Sequence, residues 1–161
     1  MLLTAADIEL IGEARVARLG TIGPGGSPHL VPVCFAFAEW RFFVPIDEKP
    51  KRGGVLARVR NIERDPRATL LIDRYDDEDW TRLAWLRFDC EAQVHARGSE
   101  LPEGLIELRS RYPQYREMAL EERPLIELTV LRHSGWRWST GTARRPGTLA
   151  GYEAGERKMP Q

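Results

Sequence analysis

The sequence predicts a mainly β (α+β) domain, a mostly antiparallel barrel of about six strands with short helices at its ends. Three observations lead there. Between Ala84 and Ala96 every second residue is apolar (Ala84, Leu86, Phe88, Cys90, Ala92, Val94, Ala96) while those between are mostly polar, the period of a long strand with one face in a core. Three β-rich runs follow one another from Val16 to Val44 with turn chemistry or almost no connection between them, which predicts an antiparallel meander. Helical stretches are short and do not alternate with strands as βαβ units require.

Each element has a local reason. Thr4-Ala5-Ala6-Asp7 is a capping-box start, with Asp in place of Glu, and Ile8, Ile11 and Ala14 follow near helical spacing. Val16 to Ile22 turns strand-like and stops at Gly23-Pro24-Gly25-Gly26. His29 to Phe37 forms a second strand, and Pro32 places it at an edge or a bulge because proline cannot donate to the ladder. Trp40 to Val44 is the third. Val55, Val59 and Ile62 at i, i+4 and i+7 predict a helix, which Asp65-Pro66 ends because the residue before proline disfavours the α region. Ala68 to Ile72 and the alternating 84–96 run are strands. Glu103 to Arg111 and Tyr115 to Glu122 read as helices separated by Pro113. Ile126, Leu128 and Val130 open a last strand that runs on toward Trp136 and Trp138. The organisation is one domain over residues 1–139, followed by an irregular tail at 140–161 rich in Gly, Arg and Pro.

Composition removes several classes of function. The 161 residues suit one core that needs no disulfide or structural metal. The 24 basic and 24 acidic residues cancel, so no general field draws the chain to nucleic acid or an anionic membrane. No apolar run is long enough for a membrane span, and the start lacks the pattern of a signal peptide. Cys34 and Cys90 form no disulfide framework, so a cytoplasmic location is expected. Charge is segregated along the chain. Seven basic and four acidic side chains lie between Asp47 and Arg67, whereas Asp76-Asp77-Glu78-Asp79 is purely acidic.

Candidate catalytic pairs are scarce. His29, His95 and His133 lack metal-ligand spacing, and Cys34 and Cys90 sit on apolar strands. There is no GxGxxG, Walker loop or GxSxG. What remains is an anion site. On a helical wheel Val55, Val59 and Ile62 form the buried face, with Arg58 and Asn61 on one flank and Arg60 on the other. Arg58 falls in the first turn, where a helix offers free N–H groups and a partial positive end, and Lys49, Lys51 and Arg52 precede it. The same spacing fits a solvated basic helix whose arginines pair with Glu63 or Asp65.

The order of a short helix, Gly-Gly-Ser-Pro-His-Leu-Val-Pro-Val-Cys-Phe (25–35), Arg-Val-Arg-Asn-Ile-Glu-Arg-Asp-Pro-Arg-Ala-Thr-Leu-Leu-Ile-Asp (58–73) and the long strand at 84–96 resembles the pyridoxamine 5′-phosphate oxidase-like family of FMN-binding split barrels. Asp47-Glu48-Lys49-Pro50-Lys51, Asp73-Arg74-Tyr75-Asp76-Asp77, Trp80 and Trp85 look like the branch of coenzyme F420 (deazaflavin)-dependent enzymes. The resemblance implies a six-stranded split barrel that forms a homodimer with cofactor sites at the subunit interface, and a small-molecule substrate. It implies that Arg58 holds the cofactor phosphate with Arg60 and Asn61 close by, and that Pro32, Val33, Pro45 and Ile46 line the ring. Lys49, Lys51 and Arg52 would reach the phosphate or an acidic tail, and Trp80, Trp85 or Trp138 would come from the other subunit. The expected activity is hydride transfer from reduced coenzyme F420 to a small conjugated acceptor. An FMN-dependent reductase or oxidase and a non-enzymatic flavin- or haem-binding protein are the alternatives.

Overall fold

The computed structural model describes residues 2–46 and 56–138. The first helix, α1 (Ala5–Glu13), begins where the sequence predicts, because the Thr4 side chain accepts from the Asp7 N–H while the Asp7 carboxylate accepts from the Thr4 N–H. Then come β1 (Ala17–Ile22), β2 (Pro28–Val33), β3 (Ala36–Ala38) and β4 (Arg41–Pro45). Helix α2 (Ala57–Arg64) leads into β5 (Arg67–Arg74) and the long β6 (Ala84–His95). Helix α3 (Pro102–Arg111) and β7 (Leu125–Arg137) complete the described fold.

All seven strands join one antiparallel sheet in the order β2-β1-β5-β6-β7-β4-β3. One face supplies the main core, with Leu19 on β1, Leu70 and Ile72 on β5, Leu86 and Phe88 on β6, and Leu128 on β7 all buried. Those positions are two apart along each strand, as the pleat requires. Helix α3 covers a second, smaller core with Leu105, Leu108, Tyr112 and Phe43. Gly104 permits that close approach, since a Cβ there would lie 2.7 Å from the Phe43 ring. No helix of the described residues is long and apolar enough to cross a membrane.

The split-barrel expectation holds, with corrections. Among the described residues there are seven strands rather than six, because the His29–Phe37 run divides into β2 and β3. The meander is broken as well. The β1–β2 and β3–β4 hairpins sit at opposite ends of the strand order, since β4 pairs with β7 and β1 with β5. Pro32 does lie on an edge strand. The helix read at Tyr115 to Glu122 is replaced by two 3-10 turns, Pro113–Arg116 and Leu120–Glu122. The proline sets the first, and the Arg109 side chain holds the segment between them, donating to the Tyr115 and Met118 carbonyls. The 140–161 tail lies outside the described residues.

Candidate functional site

Helix α2 is short enough to be marginal on its own, and its position is fixed by polar contacts with β1. Asn61 is only 3% exposed, and its Nδ2 donates to Thr21 Oγ1 at 3.0 Å. Arg64 donates to Asn61 Oδ1 and to the Ile22 carbonyl. Val59 and Ile62 anchor the apolar side. Asn61 is therefore turned into the protein rather than lying beside Arg58 on an open flank, because a partner 40 positions away in sequence holds it. Arg58 is the second residue of α2 and half-buried, and Arg60 is exposed. Leu56, at the helix start, offers no side-chain cap, and the Val59 and Arg60 N–H groups donate to its carbonyl.

The ring-lining candidates divide between two faces. Pro32 pairs with Arg18 and faces outward, in a row that continues through Leu71 and Arg87. Val33, one residue on, faces the core and is buried, as the period of a strand dictates. Pro45 is buried opposite Leu125, while half-buried Ile46 donates its N–H to the Pro124 carbonyl at 3.1 Å and packs on the main core. Trp85 faces outward between Asp73 and Trp136, and Trp80 is 59% exposed in a 3-10 turn. Pro66, just past the end of α2, accepts the Ala92 N–H on β6, and Trp85 lies seven residues away along that strand, roughly 20 Å. Within one chain the fold does not bring Trp85 to α2. Lys49, Lys51 and Arg52 lie outside the described residues.

On the outer sheet face, the row Leu30, Gly20, Thr69, Asp89 crosses β2, β1, β5 and β6. Because Gly20 carries no side chain, a cavity of about 540 Å³ opens there, lined also by His29, Leu131 and Arg132. The side chains of Thr21 and His29, paired across β1 and β2, turn the other way, toward the core, where His29 Nδ1 lies 3.3 Å from Thr21 Oγ1. Sequence reasoning singled out neither Thr21 nor His29 for a site. No local signal marks them, since only the strand register places them together. Elsewhere on this face exposed charges form pairs, Arg18 with Asp73 at 2.8 Å and Arg132 with Asp89 at 2.6 Å. Burial, with the Asp89 charge beside it, pushes the Cys90 thiol up to about 12, so it is an inert core residue rather than a nucleophile. Among the described residues no group of three or more His, Cys, Asp or Glu side chains is placed to hold a metal ion.

Residues 3–137 match the family model described as Pyridoxamine 5′-phosphate oxidase. The chain belongs to that family. Solved structures with the same fold include a conserved hypothetical protein from Mycobacterium tuberculosis, 20% identical with a TM-score of 0.64, covering 89% of this chain and 95% of that one. HutZ, the heme storage protein from Vibrio cholerae, is also 20% identical with a TM-score of 0.64, covering 85% of this chain and 95% of that one. A FAD-binding protein from Mesorhizobium loti is 16% identical with a TM-score of 0.59, covering 83% and 94%. No curated protein matches the chain in sequence. At these identities the structural likeness shows the shared barrel, and membership of the pyridoxamine 5′-phosphate oxidase family rests on the match over residues 3–137.

Proposed function

We propose that this protein is an oxidoreductase that holds a flavin-type cofactor between two copies of the chain, and that the cofactor is coenzyme F420 serving a small conjugated acceptor. The observation that carries this reading is the start of α2, where Arg58 in the first turn and the positive end of the helix fit a phosphate. Asn61, Thr21 and Arg64 fix that helix to the sheet, so the anion site is built in advance of binding. Family membership supports a flavin-type group, and the similar Mesorhizobium loti protein is a FAD-binding one.

When bound, such a cofactor supplies hydride chemistry, so the protein needs no nucleophile or catalytic dyad of its own. The chain's part is to bind and orient. Arg58 and the positive end of α2 hold the phosphate. Arg60 adds positive charge at the same end, and Lys49, Lys51 and Arg52 precede it in sequence. A second copy is needed because the outward-facing tryptophans lie far from α2 within one chain, whereas the outer face, where exposed charges form pairs, can meet its like.

Purified protein titrated separately with FMN, FAD and coenzyme F420, followed by absorption and fluorescence, tests the reading. Saturable binding of coenzyme F420 that Arg58→Ala weakens by about tenfold or more, the scale of a charged hydrogen bond, is the expected result. Binding of FMN alone moves the assignment to a flavin reductase or oxidase, and binding of no cofactor overturns it. A second reading, a haem- or flavin-binding protein without turnover, draws on the likeness to the heme storage protein HutZ. A Soret band on adding haem, with no acceptor reduced in the presence of any reduced cofactor, would favour it.

A further inference from the structure

A chain of hydrogen bonds runs from the edge strand β2 into α2, and it has one direction. Arg64 Nη2 donates to Asn61 Oδ1 at 3.3 Å, and a guanidinium has no acceptor, so the amide is turned with Nδ2 toward Thr21. Nδ2 donates to Thr21 Oγ1 at 3.0 Å. The threonine hydroxyl accepts that bond and still has its own proton to place. Thr21 and Asn61 are both buried, so water does not take it. The other partner of the hydroxyl among the described residues is His29 Nδ1, 3.3 Å away. A buried donor without an acceptor is costly, so Thr21 donates to Nδ1, and the ring proton of the neutral imidazole sits on Nε2.

Register explains how these residues meet. Thr21 and His29 are partners across β1 and β2, and both turn to the core side of the sheet, where Asn61 and Ile62 of α2 are buried. An eight-residue helix without a side-chain cap at its start is too short to hold itself, so its contacts decide where it lies. Ile62 in the main core anchors it without fixing its rotation. Two polar contacts with β1 do that, Arg64 on the Ile22 carbonyl and Asn61 on Thr21, and of these the Asn61 bond is the buried one. Its geometry depends on where the threonine hydrogen goes. With Nδ1 as acceptor, that hydrogen points at β2 and a lone pair is left for Asn61. Without Nδ1 the hydroxyl turns, and the Asn61 bond is no longer held in one geometry.

We propose that His29 is a positioning residue, which through Thr21 fixes the rotation of α2 and so aims Arg58 at the start of that helix. The aiming of Arg58 rests on the reading of the helix start as an anion site, whereas the hold of His29 on α2 does not. Arg58 precedes Asn61 by three residues, less than one turn, so a rotation of the helix at Asn61 swings Arg58 by the same angle. A residue on a neighbouring strand thereby sets how much of the population is ready to bind.

Amide hydrogen exchange of the full-length protein reads the hold of His29 on α2 without any ligand. His29→Phe keeps a ring and removes the acceptor. In that variant the Arg60 and Asp65 N–H groups, bonded to the Leu56 and Asn61 carbonyls, should exchange about three- to tenfold faster, the scale of one neutral hydrogen bond. The Ala14 N–H, bonded to the Leu10 carbonyl at the end of α1, should not change, whereas a general loss of stability would not spare it. His29→Asn should restore slow exchange, because its amide oxygen sits about where Nδ1 does. In a Thr21→Val background His29→Phe should have no further effect, since the link from residue 29 to residue 61 is already cut. The ¹⁵N shifts of His29 in the wild type should show the Nε2–H tautomer. Coenzyme F420, or FMN if that is what binds, is the second probe, and His29→Phe should weaken its binding by a similar factor. An Nδ1–H tautomer, unchanged α2 exchange in His29→Phe, or an effect of that change that persists in Thr21→Val would overturn the proposal. So would faster exchange with unaltered cofactor affinity, because α2 would then loosen without moving the site. A wild type that binds neither cofactor overturns the cofactor reading and with it the aiming of Arg58, while the exchange rates still decide the hold of His29 on α2.

Discussion

The phenol of Tyr112, at the end of α3, accepts the Phe35 N–H at 3.1 Å and lies 2.8 Å from the Arg15 carbonyl, to which it donates. One oxygen thereby joins three segments: the end of α3, the chain entering β1 and the link between β2 and β3. Phe35 and Tyr112 are both buried, so water cannot replace the phenol. Tyr112→Phe keeps the ring, with its packing on Tyr115, and removes only the oxygen. The variant should lose about 1–3 kcal/mol of stability, the cost of leaving buried backbone groups unpaired. Urea unfolding with an unchanged m-value would confirm the loss, and a difference below about 0.5 kcal/mol would show that the three segments do not depend on that oxygen.

Acid stability should carry the mark of Asp65, which follows α2. The Arg67 side chain and backbone N–H both donate to its carboxylate and hold it at about 2, against an ordinary 3.8. Because the folded value is depressed, the stabilisation is present above the ordinary value and is lost as pH falls through about 2. Asp65→Asn can still accept the Arg67 N–H, so it removes the charge with little else. Wild type should be the more stable of the two near neutrality, and the two unfolding curves should converge as pH is lowered from 3.8 toward 2. A gap between them that is constant across that window would deny the pair any role.

The two thiols should behave differently. Cys90 is buried on β6 with its thiol pushed up to about 12, while Cys34 is half-buried. A disulfide reagent at pH 8 should modify one thiol per native chain, and Cys34→Ala should reduce that to none. Release of two equivalents without denaturant would mean that β6 opens to solvent.

How far the sequence could be read depended on where the partners of each residue lie. Helix α1 was legible because Thr4 and Asp7 cap it from three residues apart, and β6 because its alternation runs over twelve residues in one strand. The sheet order was not, since nothing local to β4 says that it pairs with β7 more than eighty residues later. The site divides in the same way. Arg58 at the start of α2 follows from helix spacing alone. The inward turn of Asn61 needed Thr21, and the outward-facing row of Pro32 needed the β1 and β5 registers. The segment 113–122 misled because its apolar residues mimic helical spacing while Arg109 binds its carbonyls from outside.

The β3–β4 hairpin offers a gain in stability. Its two-residue loop, Glu39-Trp40, has φ of 50° and 62°, the left-handed pair that a tight hairpin turn demands and that Asn-Gly normally supplies. Each L-residue there is strained on the order of 1–2 kcal/mol. For Trp40 the surroundings compensate. Its ring packs edge-on to Phe37 and beside His133, and its carbonyl accepts the Val130 N–H at 2.9 Å. Glu39 has only an exposed ion pair with Arg41 at 3.3 Å, which contributes little. Glu39→Gly should therefore stabilise the protein by about 0.5–1 kcal/mol, after the added backbone entropy of glycine is set against the relieved strain. Trp40→Gly should destabilise it, because the ring contacts are lost along with the strain. Thermal unfolding of the two variants beside wild type separates these effects, and a Glu39→Gly protein that melts lower would show that the turn is not held under strain at that residue.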